Sequence, residues 1–314
     1  MTGITQTNQM NNRLNELANN GAFTCHRFGK VVYKSWLGLA LILFVTVGCS
    51  SIQSSISEGM AQSLSAGITN QSDVEMVKAG IPSYLLMIDG MIVEDPENAG
   101  LYFAGAKLYS TLANFVKEDQ HRLTFIADRA FHYSQKMLCL TREEWCALTD
   151  QTYDLFQQSI NKVDEDEVDL IYMYGTSWAS NIEVHRADMS AIANLPKVKA
   201  IMHRVLQIDE RYDRGGAHLY LGVLESLIPP ALGGKRDVAK SHFERVVEIN
   251  NGRHLMAMVM YAEYHARVLY DRKLHDELLQ NVISQNPNEK GLTLINVVAQ
   301  QRARKLLASA EEYF

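Results

Sequence analysis

From Val74 to the end of the chain, apolar residues recur at three- and four-residue spacing, and no convincing run alternates apolar and polar with period two. Strands show the short period and helices the long one, so the pattern predicts an all-α domain. The 314 residues, 47% hydrophobic and 21% charged, suffice for one large core or a stacked array. The six prolines act as punctuation. Pro96 in "EDPENAG" separates two apolar segments, Pro196 in "NLPKVKA" opens one, and Pro287 in "QNPNEKG" divides the last two. A proline costs ~3 kcal/mol inside a helix and is tolerated in a first turn, so these positions mark helix boundaries. Helices are predicted near 74–93, 98–116, 123–139, 142–161, 167–185, 196–208, 214–227, 235–249, 253–271, 273–285 and 289–312. Asn250, Asn251 and Gly252 supply a C-terminal stop.

Paired helices recur with a shared residue order. Ala127-x3-Phe131-x2-Ser134 and Ala239-x3-Phe243-x2-Val246 resemble the second helices of tetratricopeptide repeats, and Ala104-Gly105 and Leu221-Gly222 the first helices. The small residues let two helices approach, and the aromatic fills the gap between successive hairpins. The expected fold is a compact array of degenerate tetratricopeptide-like hairpins, with insertions at 109–124 and 226–237. The second insertion holds "IPPALGG". Pro229 and Pro230 stop one helix and set a rigid exit, Gly233 and Gly234 permit the reversal, and Asp237 supports the positive end of the next helix. The stretch is either a structural corner or the border of a ligand passage or partner surface.

Residues 1–48 stand apart from this fold. Arg27, Lys30 and Lys34 flank the apolar run "WLGLALILFVTV" (Trp36–Val47), which is shorter than the ~20 residues of a spanning helix but suits a signal peptide. The run ends in "VTVGCSS", which resembles the lipobox of bacterial lipoproteins, with Thr46 where Leu or Val is usual. That resemblance implies acylation of Cys49, cleavage before it, and a periplasmic protein anchored in the bilayer. Ser50 after the cysteine points to the outer membrane. Residues 49–73, rich in Ser, Gln and Gly, are expected to be a flexible tether leading to a domain over 74–314.

Of the remaining cysteines, Cys25 stays in the signal, leaving Cys139 and Cys146 in an oxidising compartment. A disulfide between them is one reading and two small core residues the other, because spacing does not fix the geometry. No Cys or His pair has zinc-site spacing and no His-Glu-x-x-His occurs, so neither metal nor cofactor is expected. His185, His203, His218, His242, His254, His265 and His275 lie in helical segments without a catalytic motif, and no enzyme is predicted. Asp164 to Glu167, "DEDE", precedes a helix and suits its positive end better than a cation. A net charge of −6 without a basic face argues against nucleic acid as a partner.

The ordered segments "LYFAGAKLY", "FIADRAFHYSQKML", "DEVDLIYMYGTSWASNI", "LPKVKAIMHRVLQIDERYDRGGAHLYLGVLES" and "VVAQQRARKLL" resemble the T-component proteins associated with TRAP (tripartite ATP-independent periplasmic) transporters. The match is densest over Gly216–Arg267, where Leu-Gly, Pro-Pro, Leu-Gly-Gly, His-Phe-Glu and Ala-Glu-Tyr-x-Ala-Arg follow in order. The resemblance implies a lipid-anchored helical homotrimer that works beside a TRAP-type solute-binding protein. It also implies a passage that relays a small organic or apolar ligand. A tetratricopeptide-like scaffold of envelope assembly is the alternative.

On this reading Tyr172, Met173, Tyr174 and Trp178 either line the passage or fill the core. Tyr264 and Arg267 are further ligand or partner candidates. Glu263 and Arg267, four apart, form either an intrahelical ion pair or part of the polar lining. Met256, Met258 and Met260 mark a central helix that either packs or adapts to a ligand.

Overall fold

Val74, Val77, Ile81, Leu85, Ile88 and Ile92 recur at spacings of three and four and give the first helix, α1 (Val74–Glu94), one narrow buried stripe. Its start is fixed by Asp73, whose side chain accepts from the Met76 N–H. The computed structural model describes residues 63–227 and 235–314. The described residues from Ser65 onward belong to one compact unit, 65–314; Cys49 and the "IPPALGG" residues Pro229, Pro230, Gly233 and Gly234 lie outside the described residues. Within this unit, residues 65–69 are helical, Ile68 packs against the core, and the Asn70 side chain accepts from the Gly291 N–H at 2.7 Å.

Pro82 corrects the view of the prolines as punctuation, because it lies inside α1. One interior proline costs ~3 kcal/mol, whereas each of the six stripe residues gains ~1.5–3 kcal/mol on burial. Packing therefore wins.

The remaining described helices are α2 (Ala99–Ala113), α3 (Gln120–Thr141), α4 (Tyr153–Ile160), α5 (Val168–Val184), α6 (Met189–Ile192), α7 (Leu195–Ile208) and α8 (Gly216–Leu227). They are followed by α9 (Arg236–Ile249), α10 (Leu255–Tyr261), α11 (Arg272–Ser284), α12 (Thr293–Ala308) and α13 (Ala310–Tyr313). No strand occurs among the described residues. Neighbours in sequence pack together: α2 with α3, α3 with α5, α5 with α7, α7 with α8, α8 with α9, and α10 and α11 with α12.

The repeat logic is visible at two glycines. A Cβ on Gly105 would lie 2.6 Å from the Tyr133 ring, and one on Gly222 would lie 3.1 Å from the Phe243 ring. Each first helix thus rests directly on an aromatic of its second helix. Phe131 and Phe243 reach forward to the next hairpin. Phe131 stacks on Tyr174 and Trp178 of α5, at 5.7 and 5.5 Å between ring centres, and Phe243 stacks on Tyr261 of α10 at 5.2 Å.

Two helices expected from periodicity are broken. The segment 142–161 becomes two 3₁₀ turns, Glu143–Trp145 and Leu148–Asp150, before α4. Cys139 and Cys146 are joined by a disulfide with Cα atoms 4.1 Å apart, which folds the chain back, and Arg142 covers the Trp145 ring and pairs with Glu167. The expected helix 253–271 is α10 followed by a π turn, Ala262–Ala266, in which the Arg267 N–H donates to the Ala262 carbonyl at 2.8 Å. The insertion expected over 109–124 shrinks to the connection between Ala113 and Gln120.

Candidate functional site

Tyr172 on α5 is buried, and its hydroxyl donates to the Asp213 carboxylate at 2.8 Å. Asp213 sits in the turn before α8 at φ 45, and Gly215 beside it at φ 79. At Gly216 a Cβ would fall 2.0 Å from the Tyr172 oxygen, so the approach of this turn to α5 requires glycine. Tyr212 and Tyr220 meet the Tyr172 ring edge-on at 5.2 and 6.3 Å.

Asp213 keeps accessible surface, yet surrounding protein strips its hydration and raises its carboxyl above the usual range, against the lowering effect of the Tyr172 hydroxyl. Tyr220, half-buried on α8, has its phenol pushed up by desolvation and then by Asp213 and Glu183. Glu183, near the end of α5, also faces Lys117 from the α2–α3 connection and Tyr264 from the π turn. Desolvation lowers Lys117 although its side chain remains accessible, and Arg302 on α12 lowers it further. Tyr264 is raised by desolvation and by Glu263. Arg302 closes the series through an ion pair with Glu263 at 2.6 Å.

Asp213, Tyr220, Glu183, Lys117, Tyr264 and Arg302 form one series of electrostatic neighbours, a polar wall drawn from distant segments of the domain. It offers phenol faces for apolar matter, two cations, and three carboxylates counting Glu263. That inventory suits holding a small molecule with polar ends. It contains no nucleophile beside a base, and among the described residues no group of three His, Cys, Asp or Glu is placed to hold a metal.

The sequence candidates fall on both sides of this wall. Tyr174 and Trp178 are 1% and 2% exposed. They pack between Phe131 and Phe156, with the Tyr174 hydroxyl bonded to that of Thr149 at 2.9 Å. The packing side of their two readings is the one the structure displays. Tyr264 lies on the wall. Arg267 does not pair with Glu263, as its spacing predicted: the π turn breaks the four-residue register, Glu263 goes to Arg302, and the Arg267 guanidinium lies 3.8 Å over the Tyr313 ring. Met256 and Met258 are buried core residues. "DEDE" forms a capped helix start, with Asp164 and Glu167 bonded reciprocally.

Sequence reasoning missed Asp213, Tyr220, Glu183, Lys117 and Arg302, which are distant in the chain and share no motif; only the glycine pair after Asp213 hinted at a special turn. It also missed a histidine pair. His218 and His242 meet nitrogen to nitrogen at 2.7 Å between α8 and α9, and Glu210, bound to Arg245 at 2.7 Å, holds His218 from the other side at 3.1 Å.

Residues 70–314 match the family model described as TRAP transporter T-component. A protein of Treponema pallidum (strain Nichols), described as uncharacterized, is 19% identical over 267 residues, covering 78% of this chain and 82% of its own length. The family match spans most of the chain and the whole of the wall, and it agrees with the all-helical hairpin array. The chain therefore belongs to the TRAP transporter T-component family, as a periplasmic, non-catalytic accessory component of a TRAP transport system.

Proposed function

We propose that this protein works beside a TRAP-type solute-binding protein and relays a small organic ligand along the wall built by Asp213, Tyr220, Glu183, Lys117, Tyr264 and Arg302. The observation that carries this reading is that folding joins polar groups far apart in the chain, Tyr172 to Asp213 at 2.8 Å over Gly216 and Arg302 to Glu263 at 2.6 Å, with Tyr220, Lys117 and Tyr264 beside them. The nearly balanced charges favour a ligand that is itself polar at its ends and apolar between them.

In the same reading Cys49 is acylated after removal of residues 1–48, the residues between it and Ser65 tether the helical domain, and Ser50 directs the protein to the outer membrane. The assembly is a homotrimer. Pro229, Pro230, Gly233 and Gly234 fall in the sequence between α8 and α9, the two helices that carry the histidine pair, and this stretch is the candidate edge of the partner surface. Arg267, stacked on Tyr313, positions the C-terminal helices rather than the ligand.

The test is affinity purification of the full chain from its own membranes, followed by mass spectrometry of captured proteins and extracted small molecules. A TRAP-type solute-binding protein is expected in the eluate. Arg302→Met and Tyr220→Phe should release the small molecule and leave the protein partner, whereas Pro229→Ala with Pro230→Ala should weaken the partner. An eluate holding outer-membrane assembly factors and no solute-binding protein would overturn the reading in favour of an envelope scaffold.

A further inference from the structure

α1 buries one side only, on α2 and to a lesser extent on α12, and its opposite side is apolar as well. Met76, Tyr84, Leu86, Met87, Met91 and Val93 are 40–82% exposed. At 100° per residue they spread over about half the helix circumference. Between Lys78 and Glu94 the only charged residue is Asp89, which turns toward the domain and accepts from the hydroxyls of Tyr109 and Tyr133 at 2.7 Å each. Added Cβ atoms on Gly80 and Gly90 would meet nothing within 4 Å. α1 is also the one described helix long and apolar enough to cross a membrane by length and composition, though its inner stripe is committed to the core.

We infer that this outer face of α1 docks onto the lipid bilayer, so that the domain rests on the membrane rather than hanging from it. The inference rests on the proposed acylation of Cys49. The compact unit begins at Ser65, 16 residues after Cys49. At no more than ~3.6 Å per residue, that segment reaches about 58 Å at most whatever its conformation, and α1 follows directly on the short helical stretch, residues 65–69, that opens the domain. The width of the face argues against a second copy of the chain. A partner helix covers a narrow seam, whereas a continuous apolar medium covers a broad arc. The charges flank the face at its two ends, Glu75 and Lys78 at one and Glu94 at the other, where the helix would meet headgroups and water.

Met87→Cys places a thiol in the middle of the face, with Cys139 and Cys146 already paired. The full mature chain, extracted from membranes, labelled there with an environment-sensitive dye and reconstituted into phosphatidylethanolamine and phosphatidylglycerol vesicles, is exposed to aqueous iodide or to lipids carrying a quencher on the acyl chain. The lipid quencher should remove most of the emission and iodide little. A control dye at Glu165→Cys should show the reverse, and adding Leu86→Glu to Met87→Cys should restore iodide access. Equal iodide quenching at both positions overturns the inference. So does shielding from both quenchers that disappears on dilution, which would assign the face to a second copy. Mass spectrometry of the N-terminus of the same sample separates the two ideas: an acylated protein with an iodide-accessible face leaves the anchor standing and removes only the docking.

Discussion

Two aromatic series run through this domain, and they end in opposite environments. Phe131, Tyr174, Trp178 and Phe156 stack ring on ring, the Tyr174 hydroxyl is satisfied by Thr149, and the Lys197 ammonium lies 5.8–5.9 Å from the rings of Phe156 and Trp178. Tyr172 instead gives its hydroxyl to Asp213, and Tyr220 and Tyr264 lie near Glu183, Glu263 and Arg302 and stay partly accessible. What separates them is the origin of their partners. The dry series is completed by neighbouring hairpins of the repeat, whereas the wet one draws its charges from a strained turn, a loop and the penultimate described helix. Repeat packing makes a core, and departures from the repeat make a wall.

Truncation should expose the difference most strongly. Trp178→Ala empties a site with no route for water and should cost ~3–5 kcal/mol. At roughly 2–4 °C per kcal/mol for a domain of this size, thermal denaturation should show a melting point lower by several degrees at least. Tyr220→Phe should melt close to the parent. A Trp178→Ala protein that melts with the parent would erase the distinction between dry and wet series.

Adding volume is the next test. Gly105→Ala pushes a methyl to 2.6 Å from Tyr133, whose ring is pinned by its bond to Asp89, while Gly222→Ala approaches the Phe243 ring at 3.1 Å. Overpacking costs ~1–3 kcal/mol, and Gly105→Ala should lie at the upper end of that range and Gly222→Ala at the lower, measured by urea denaturation. The reverse order would mean that the two hairpins do not share one packing rule.

The wall makes its own prediction. Arg302 and Glu263 are each 24% exposed, between the surface pairs worth ~0–1 kcal/mol and the buried ones whose breakage costs ~3–5 kcal/mol. Arg302→Met should therefore destabilise by an intermediate amount because it strands a half-buried carboxylate. Combining it with Glu263→Gln should recover most of the loss in a double-mutant cycle. Additive losses would show that the two side chains do not act as a pair.

Much of the fold was legible because repeat packing is local. Ala127 with Phe131, Ala239 with Phe243 and the Leu221-Gly222 step announce their contacts within a few residues of themselves. Pro82 misled, since a helix interior tolerates a proline when six apolar neighbours are buried around it. The π turn at Ala262–Ala266 was invisible, because one extra residue in a helical turn leaves the apolar spacing almost unchanged while moving Glu263 away from Arg267. The wall was the least legible part. Glu183 and Arg302 look like ordinary surface charges in sequence, and only folding brings both near Lys117 and Tyr264. Tyr264 drew notice through its motif, whereas Asp213 drew none, because its partner Tyr172 lies 41 residues away in the chain.

The smallest predicted effect separates the regions by the sign of their pH response. Desolvation lowers His218 and drives His242 down to about 4, and His218, His203 and Lys199 lower His242 further while Glu225 opposes them. A folded-state pKa below the unfolded value of about 6.5 contributes stability that is present above pH 6.5 and lost as the pH falls toward 4. His254, also near 4, acts in the same window. Glu210 titrates lower still, near 2, under its bonds to Arg245 and His218, so its loss follows rather than overlaps that of the histidines. Asp213 responds in the opposite sense: its raised carboxyl is a cost at neutral pH that protonation relieves. Melting points measured between pH 7 and 4 should fall for the parent, fall less for His242→Gln, and fall more steeply for Asp213→Asn, which removes the compensating proton uptake. A parent whose melting point is flat across this range, with His242→Gln superimposed on it, would show that the histidine pair is not held neutral by its burial.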